Sequence, residues 1–238
     1  MIKNSVFFKQ KPLAVFLLFF IFIGIHKLNA KNINKEIQSY KIALVNAVKL
    51  ARKKSLSSVY KSIQFLEQII DKTKSKANSK FIEVNLFARQ VVAGIYLHRL
   101  KKWKNAAAHY GIIIKHGFFQ KNAPNVVKWL VYEGNGIAYF VGKKYKSALS
   151  NFFKSYKVAK KIIKVKKGKG KSSLCSTAYN IAAIYATLKN AKKTAKYIKI
   201  SLRNTINTRH KQIIKFQIRK DKAFKHVIKS KLIVKLIK

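Results

Sequence analysis

The sequence predicts an all-α fold, an array of antiparallel helix pairs, and three observations predict it. Apolar residues recur at helical spacing almost everywhere after position 30, and no strand alternation interrupts them. In three places a small residue is followed twelve residues on by alanine, with the entry to a second helix at the ninth. Two prolines and nine glycines in 238 residues leave little room for extended linkers.

Gly94, Trp103, Ala106 and Tyr110 form the first such set, and Gly136, Tyr145, Ala148 and Phe152 the second. Ala183 and Ala195 form a thinner third, with Lys192 and Lys199 where the aromatics stood. Two small residues at that offset let antiparallel helices approach closely, and the aromatics fill the space beside them. Gly94 is expected to face Ala106, Gly136 to face Ala148, and Ala183 to face Ala195.

Along the chain, Lys3, Lys9 and Lys11 precede an unbroken apolar run from Leu13 to Ile25, and Leu28-Asn29-Ala30 ends on a small residue. A 13-residue run is shorter than the roughly 18–20 residues that span a bilayer. Residues 1–30 therefore read as a secretory signal peptide, with an uncleaved anchor as the alternative. The mature protein is expected to begin near Lys31, outside the cytoplasm, in the periplasm or cell envelope if bacterial.

Ile37, Ala43, Leu44, Ala47, Val48 and Ala51 mark a first helix, and Val59, Ile63, Leu66 and Ile70 a second. Ala51 lies nine residues before Tyr60, a degraded form of the repeat spacing. After a polar connection, helices are expected at 81–100 and 103–116, then a turn and loop at 117–125. The next pair covers 126–141 and 144–163, with Gly142 at the turn. Seven lysines and two glycines between 160 and 171 predict a basic loop. A further pair covers 172–188 and 191–204, and Asn190 suits a left-handed turn between them. The tail, 205–238, holds a helix near 211–218, the run Asp221-Lys222-Ala223-Phe224, and a short terminal helix.

Charge is lopsided: 53 Lys and Arg against six acids give a net charge of +47. Ion pairs along helices are scarce for want of acids, so the fold repels itself, and anions or an acidic partner relieve it. The one cysteine, Cys175, excludes an intrachain disulfide and cysteine-based metal sites. The six histidines are scattered; His109 and His116, seven apart, have no acid or cysteine nearby. Lys169-Gly170-Lys171-Ser172 lacks the earlier glycine, strand and acid of a phosphate-binding loop, since position 165 is valine. Glu83 and Glu133 sit on separate helices without an obvious His or Ser pairing. No catalytic residue, cofactor or metal site is expected, and the chain reads as a non-enzyme.

The repeat sets carry a resemblance. With Gly136, Tyr139, Tyr145, Ala148 and Phe152 as its best match, and Gly94, Trp103, Ala106 and Tyr110 close behind, the chain resembles the tetratricopeptide repeat (TPR) family over roughly 36–238. The stretch from Tyr179 to Ala186 looks like a first repeat helix. Unit spacings of 42 and 47 residues exceed the family's period of about 34, which puts the extra length in loops. The Asp221 to Phe224 run looks like the ending of many exported bacterial TPR proteins. The resemblance implies an α-solenoid whose first helices line a groove. By position these are Val91, Ile95 and His98, then Glu133, Ile137 and Phe140, then Asn180, Ile184 and Thr187.

What that implies is a protein–protein interaction scaffold of the cell envelope, binding a partner helix or peptide in an apolar groove, and the basic charge suits an acidic partner. The alternative is a basic adaptor for an anionic membrane surface or cell-wall polymer. Its anionic contacts would be Lys160, Lys161, Lys164, Lys166, Lys167, Lys169 and Lys171. Nucleic acid is disfavoured, because the aromatics fall on inward positions and export removes the protein from most of it.

Overall fold

The computed structural model describes residues 31–165 and 170–238, with side chains from residue 34 onward. The expected signal segment, and Lys166, Lys167 and Lys169, lie outside the described residues. Among the described residues there are eleven α-helices, one 3-10 turn and no strand, and within each unit the longer helices pack in consecutive pairs. The chain divides into two compact units, 31–121 and 122–238 in the described residues.

The first unit contains α1 (Lys31–Arg52), α2 (Leu56–Thr73), α3 (Ser79–His98), α4 (Trp103–Lys115) and α5 (Gly117–Asn122), which reaches the boundary. Ser55 starts α2 by accepting from the Ser58 amide, and Asn78 starts α3 by accepting from the Lys80 amide. Leu44, Val48, Val59, Leu66, Ile70, Val91 and Ile95 form its core. The close crossing of α1 and α2 is at Ala47, whose carbonyl accepts from Ser62 Oγ at 2.6 Å. Tyr60 is exposed, so the Ala51–Tyr60 spacing is not a repeat contact. The loop expected at 117–125 is corrected as well, since α5 forms there around the fully buried Phe119.

The second unit contains α6 (Asn125–Val141), α7 (Tyr145–Val165), α8 (Lys171–Thr187), α9 (Ala191–Arg203) and α10 (Thr208–Lys220). A 3-10 turn (Lys222–Phe224) and α11 (Lys231–Ile237) follow. The basic tract at 160–171 is helical as far as Val165, because Ile162 is buried on the same face as Ala159 and Ser155. Lys160, Lys161 and Lys164 thus stand on α7, exposed, rather than in a loop.

Three turns share a left-handed lysine. Lys101, Lys143 and Lys189 have φ of 59°, 58° and 57°, the left-handed conformation that reverses the chain between α3 and α4, α6 and α7, and α8 and α9. Asn190, expected in that role, instead caps α9, its side chain accepting from the Lys193 amide. The hydrogen bonds align the second and third turns residue by residue, whereas in the first the Lys102 amide reaches one residue further back, to Tyr96. The Lys144 amide donates to Tyr139 and the Asn190 amide to Tyr185, each at 2.8 Å. The amides of Ala106, Ala148 and Thr194 donate to the carbonyls of Lys102, Lys144 and Asn190.

These pairings correct the third set. The second interval is 46 residues, not 47. Ala182, Ala191, Thr194 and Ile198 are the equivalents of Gly136, Tyr145, Ala148 and Phe152. Thr194 and Ile198 are fully buried, whereas Lys192 and Lys199 are exposed and Ala195 is half-buried.

At Gly136 the reason for a missing side chain is visible. A Cβ there would lie 2.8 Å from Phe152 Cδ1 and Cε1, so the ring of Phe152, rather than Ala148, occupies the space. Phe152 is fully buried and has no room to withdraw. Gly136→Ala is expected to cost about 1–3 kcal/mol through overpacking, partly offset by higher helix propensity. A melting curve of the variant checks this.

The Asp221 to Phe224 run locks the tail. Tyr179 of α8 donates its hydroxyl to Asp221 Oδ2 at 2.8 Å, and Asp221 Oδ1 accepts from the Ala223 amide at 3.0 Å. Phe224 is fully buried, edge-on to Tyr179 with centroids 5.5 Å apart. Burial and the neighbouring Asp221 carboxylate push the Tyr179 hydroxyl far above its ordinary pKa, so it stays a donor.

Candidate functional site

Glu133 gathers the largest set of side-chain partners described in the molecule. It sits on the middle of α6, 6% exposed, among three helices. Its Oε2 accepts from Ser155 Oγ of α7 at 2.7 Å and Thr177 Oγ1 of α8 at 2.8 Å. Oε1 accepts from Asn180 Nδ2 at 2.6 Å and Ser176 Oγ at 3.3 Å, both on α8. Trp129 Nε1 donates to Thr177 Oγ1 at 2.9 Å, which leaves the threonine proton for an acceptor.

Why the chain folds this way is local. Ser173, Ser176, Thr177 and Asn180 fall on one face of α8, at helical spacing, while Leu174, Cys175, Ala178 and Ile181 fill the rest. One turn of α8 thereby presents three donors to one carboxylate. Four donors saturate the four lone-pair positions of a carboxylate. Burial raises the Glu133 pKa, and the bonds from Ser155, Thr177, Asn180 and Ser176 oppose that rise. With both oxygens bonded to side chains of α7 and α8, Glu133 ties α6, α7 and α8 together and holds them in register.

Two half-buried histidines lie in the first unit. Burial lowers His98 to about 4, with Lys101 adding to the effect. Burial, then Arg89, lowers His109 to about 4. His109 stacks on Tyr96 with centroids 5.8 Å apart, and its Nε2 lies 3.6 Å from Glu67 Oε1. His116, beyond the end of α4, is not brought to His109; its Nδ1 accepts from the Phe118 amide. Cys175 is buried with its Sγ 3.3 Å from Ser201 Oγ, and burial pushes the thiol up.

The first unit's histidines and the second unit's Glu133 respond oppositely to acid, and Glu67 and Glu83 of the first unit, raised by burial, work against its histidines. The unfolded chain binds protons at His98 and His109 near pH 6.5, the folded first unit only near 4. Their contribution to stability is present above about 6.5 and is lost as pH falls toward 4. Glu133 has the opposite sign: its raised pKa favours the fold below about 4.5, and that contribution is lost as pH rises through the folded value. His210, lowered by burial but largely exposed, opposes this weakly. The single tryptophan in each unit separates the two. Acidification from pH 7 to 4.5 is expected to lower the melting temperature read by Trp103 and to leave that read by Trp129 level or higher.

The nine residues expected in a groove are placed as follows. Val91 and Ile95 are buried in the core of the first unit, while His98 is half-buried. Glu133, Phe140 and Ile184 are buried in the second unit, and Ile137, Asn180 and Thr187 are half-buried there. Glu133 and Asn180 are brought into direct contact, through the bond given above. The corrected register makes Tyr179, Ala183 and Ala186 of α8 the positional equivalents of Glu133, Ile137 and Phe140. Packing within each unit buries Val91, Ile95, Glu133, Phe140 and Ile184. Of the expected anionic contacts, Lys160, Lys161, Lys164 and Lys171 are exposed.

No family model, curated protein or solved structure matches this chain.

Proposed function

We propose that the protein is a non-enzymatic interaction scaffold of the cell envelope, a TPR-like helical repeat that binds a partner helix or peptide. The observation that carries this reading is the repetition of one hairpin at Lys101, Lys143 and Lys189, with a small residue before each turn and a buried small residue after it. Repeated helix pairs present successive first helices side by side, and that surface serves extended or helical peptides. Half-buried residues on those helices of the second unit, Ile137, Asn180 and Thr187, are the part of the expected groove there that is open to a partner. The network around Glu133 supports the same reading, because a binding surface made of three helices needs their register fixed.

The test is site-specific crosslinking in the native envelope. A photoreactive phenylalanine analogue at Ile137 or Thr187 is expected to give one adduct mass from both positions, retained at high salt. The same analogue at exposed Lys157 of α7 is expected to give none. Equal adducts at Lys157, or adducts that vanish with salt, would overturn the groove.

A further inference from the structure

The second unit exposes no acidic side chain. It holds 30 Lys and Arg against two acids, Glu133 and Asp221. Both acids are buried, each 6% exposed, and both are bound to neutral partners, Ser155, Thr177, Ser176 and Asn180 for one and Tyr179 for the other. Its surface charge is therefore of one sign. The four acids of the first unit, Glu36, Glu67, Asp71 and Glu83, are all partly or fully exposed, so the asymmetry is not a mere scarcity of acids.

Within this cationic surface, α10 carries apolar residues on two faces. Ile214 and Ile218 are fully buried on the inner one. On the outer face Ile213 and Phe216 stand 39% and 55% exposed, between Arg209 and Lys220 at i, i+4, i+7 and i+11. Ile206, just before the helix, is 64% exposed. Lys220 Nζ lies 5.9 Å from the Phe216 ring centre. The helix is held in place from behind, because Lys215 and Arg219 donate to the carbonyls of Lys238 and Ile237 at the end of α11. Single exposed apolar residues are ordinary, but an aligned aliphatic and aromatic pair inside a wholly cationic surface is not.

We infer that the outer face of α10 docks on an anionic phospholipid bilayer. Charge complementarity demands an anionic partner, and the Ile213–Phe216 stripe demands one with an apolar layer beneath its charge. Headgroups would pair with Arg209 and Lys220 while Ile213 and Phe216 enter the acyl boundary, the mode of helices that lie in the interfacial plane. No helix among the described residues is long and apolar enough to cross a membrane, so α10 would lie along the surface. A nucleic acid or acidic polymer would use the charge and leave the stripe idle. This face lies apart from the hairpin residues of the scaffold reading, and neither depends on the other.

The experiment places a reporter at the stripe of the full chain. Phe216→Trp is titrated with vesicles of phosphatidylglycerol and phosphatidylcholine carrying brominated chains, with the parent protein as the blank. The expected result is a blue shift and roughly twofold or greater quenching of the added tryptophan, absent with phosphatidylcholine alone. In parallel, Ile213→Ser with Phe216→Ser, both at exposed positions, is expected to weaken binding to anionic vesicles about tenfold while the circular dichroism spectrum is unchanged. Vesicle binding without quenching at position 216 would overturn the inference, because another segment would then be responsible. So would equal binding by the double serine variant, or tighter binding to single-stranded DNA that the serine substitutions leave unchanged.

Discussion

Phe224→Ala is expected to destabilise the second unit by about 3–5 kcal/mol, the cost of emptying a fully buried aromatic site. The ring closes the tail against Tyr179 of α8, and nothing nearby is free to fill its volume without breaking the Tyr179–Asp221 bond. Loss should appear in the Trp129 emission melt, since Trp129 bonds to Thr177, two residues from Tyr179 on α8. Phe224→Leu, which keeps most of the apolar area, should recover more than half of the loss. Equal damage from both would mean that the edge-on ring geometry, rather than its volume, is what matters.

Glu133→Ala should be comparably severe, about 3 kcal/mol or more. The substitution removes one acceptor group and strands donors from Ser155, Thr177 and Asn180 in a buried site, each at the cost of an unmade bond. Glu133→Gln keeps one acceptor, and the hydroxyls can turn to accept from its amide, so its loss should stay near 1–2 kcal/mol. The glutamine variant should also lose the fall in stability with rising pH, because the buried ionisation is gone. Chemical denaturation of both variants at pH 5 and pH 8 reads each effect.

Much of the fold was legible because helical periodicity is a local property. The helix pairs at 81–116 and 126–163 follow from it, whereas the close neighbour of Gly136 is Phe152 rather than the expected Ala148. The third pair was legible as helices but not in register. Ala182 and Ala183 are both small, and the aromatics that fix the frame in the second pair are replaced by Ala191 and Ile198. The turns hid for a different reason: lysine in a left-handed conformation carries no sequence mark, whereas the visible candidates, Gly142 and Asn190, stand beside it with negative φ. Short helices such as α5 were missed because one buried residue, Phe119, decides them.

The polar centre was the least legible part. Glu133 meets partners 22 to 47 residues away, and only tertiary packing brings Ser155 of α7 and Asn180 of α8 to it. One mark was readable. Ser173, Ser176, Thr177 and Asn180 make a polar stripe on an otherwise apolar helix, and a buried polar stripe needs a partner. Five of the nine expected groove residues are buried, for the reverse reason. A family pattern says which residue lies on which helix face, while burial depends on how far neighbouring helices cover that face.

The central claim is that the three hairpins are equivalent, with α8 and α9 set 46 residues after α6 and α7. Two adjacent residues of α9 test it most directly. Thr194, fully buried, is the equivalent of Ala148, and its neighbour Ala195 is half-buried. Thermal melts of Thr194→Leu and Ala195→Leu should show a loss of about 1–3 kcal/mol or more for the first, from overpacking, and little change for the second. A large loss at Ala195 with Thr194→Leu tolerated would put the frame one residue later and contradict the equivalence on which the repeat reading rests.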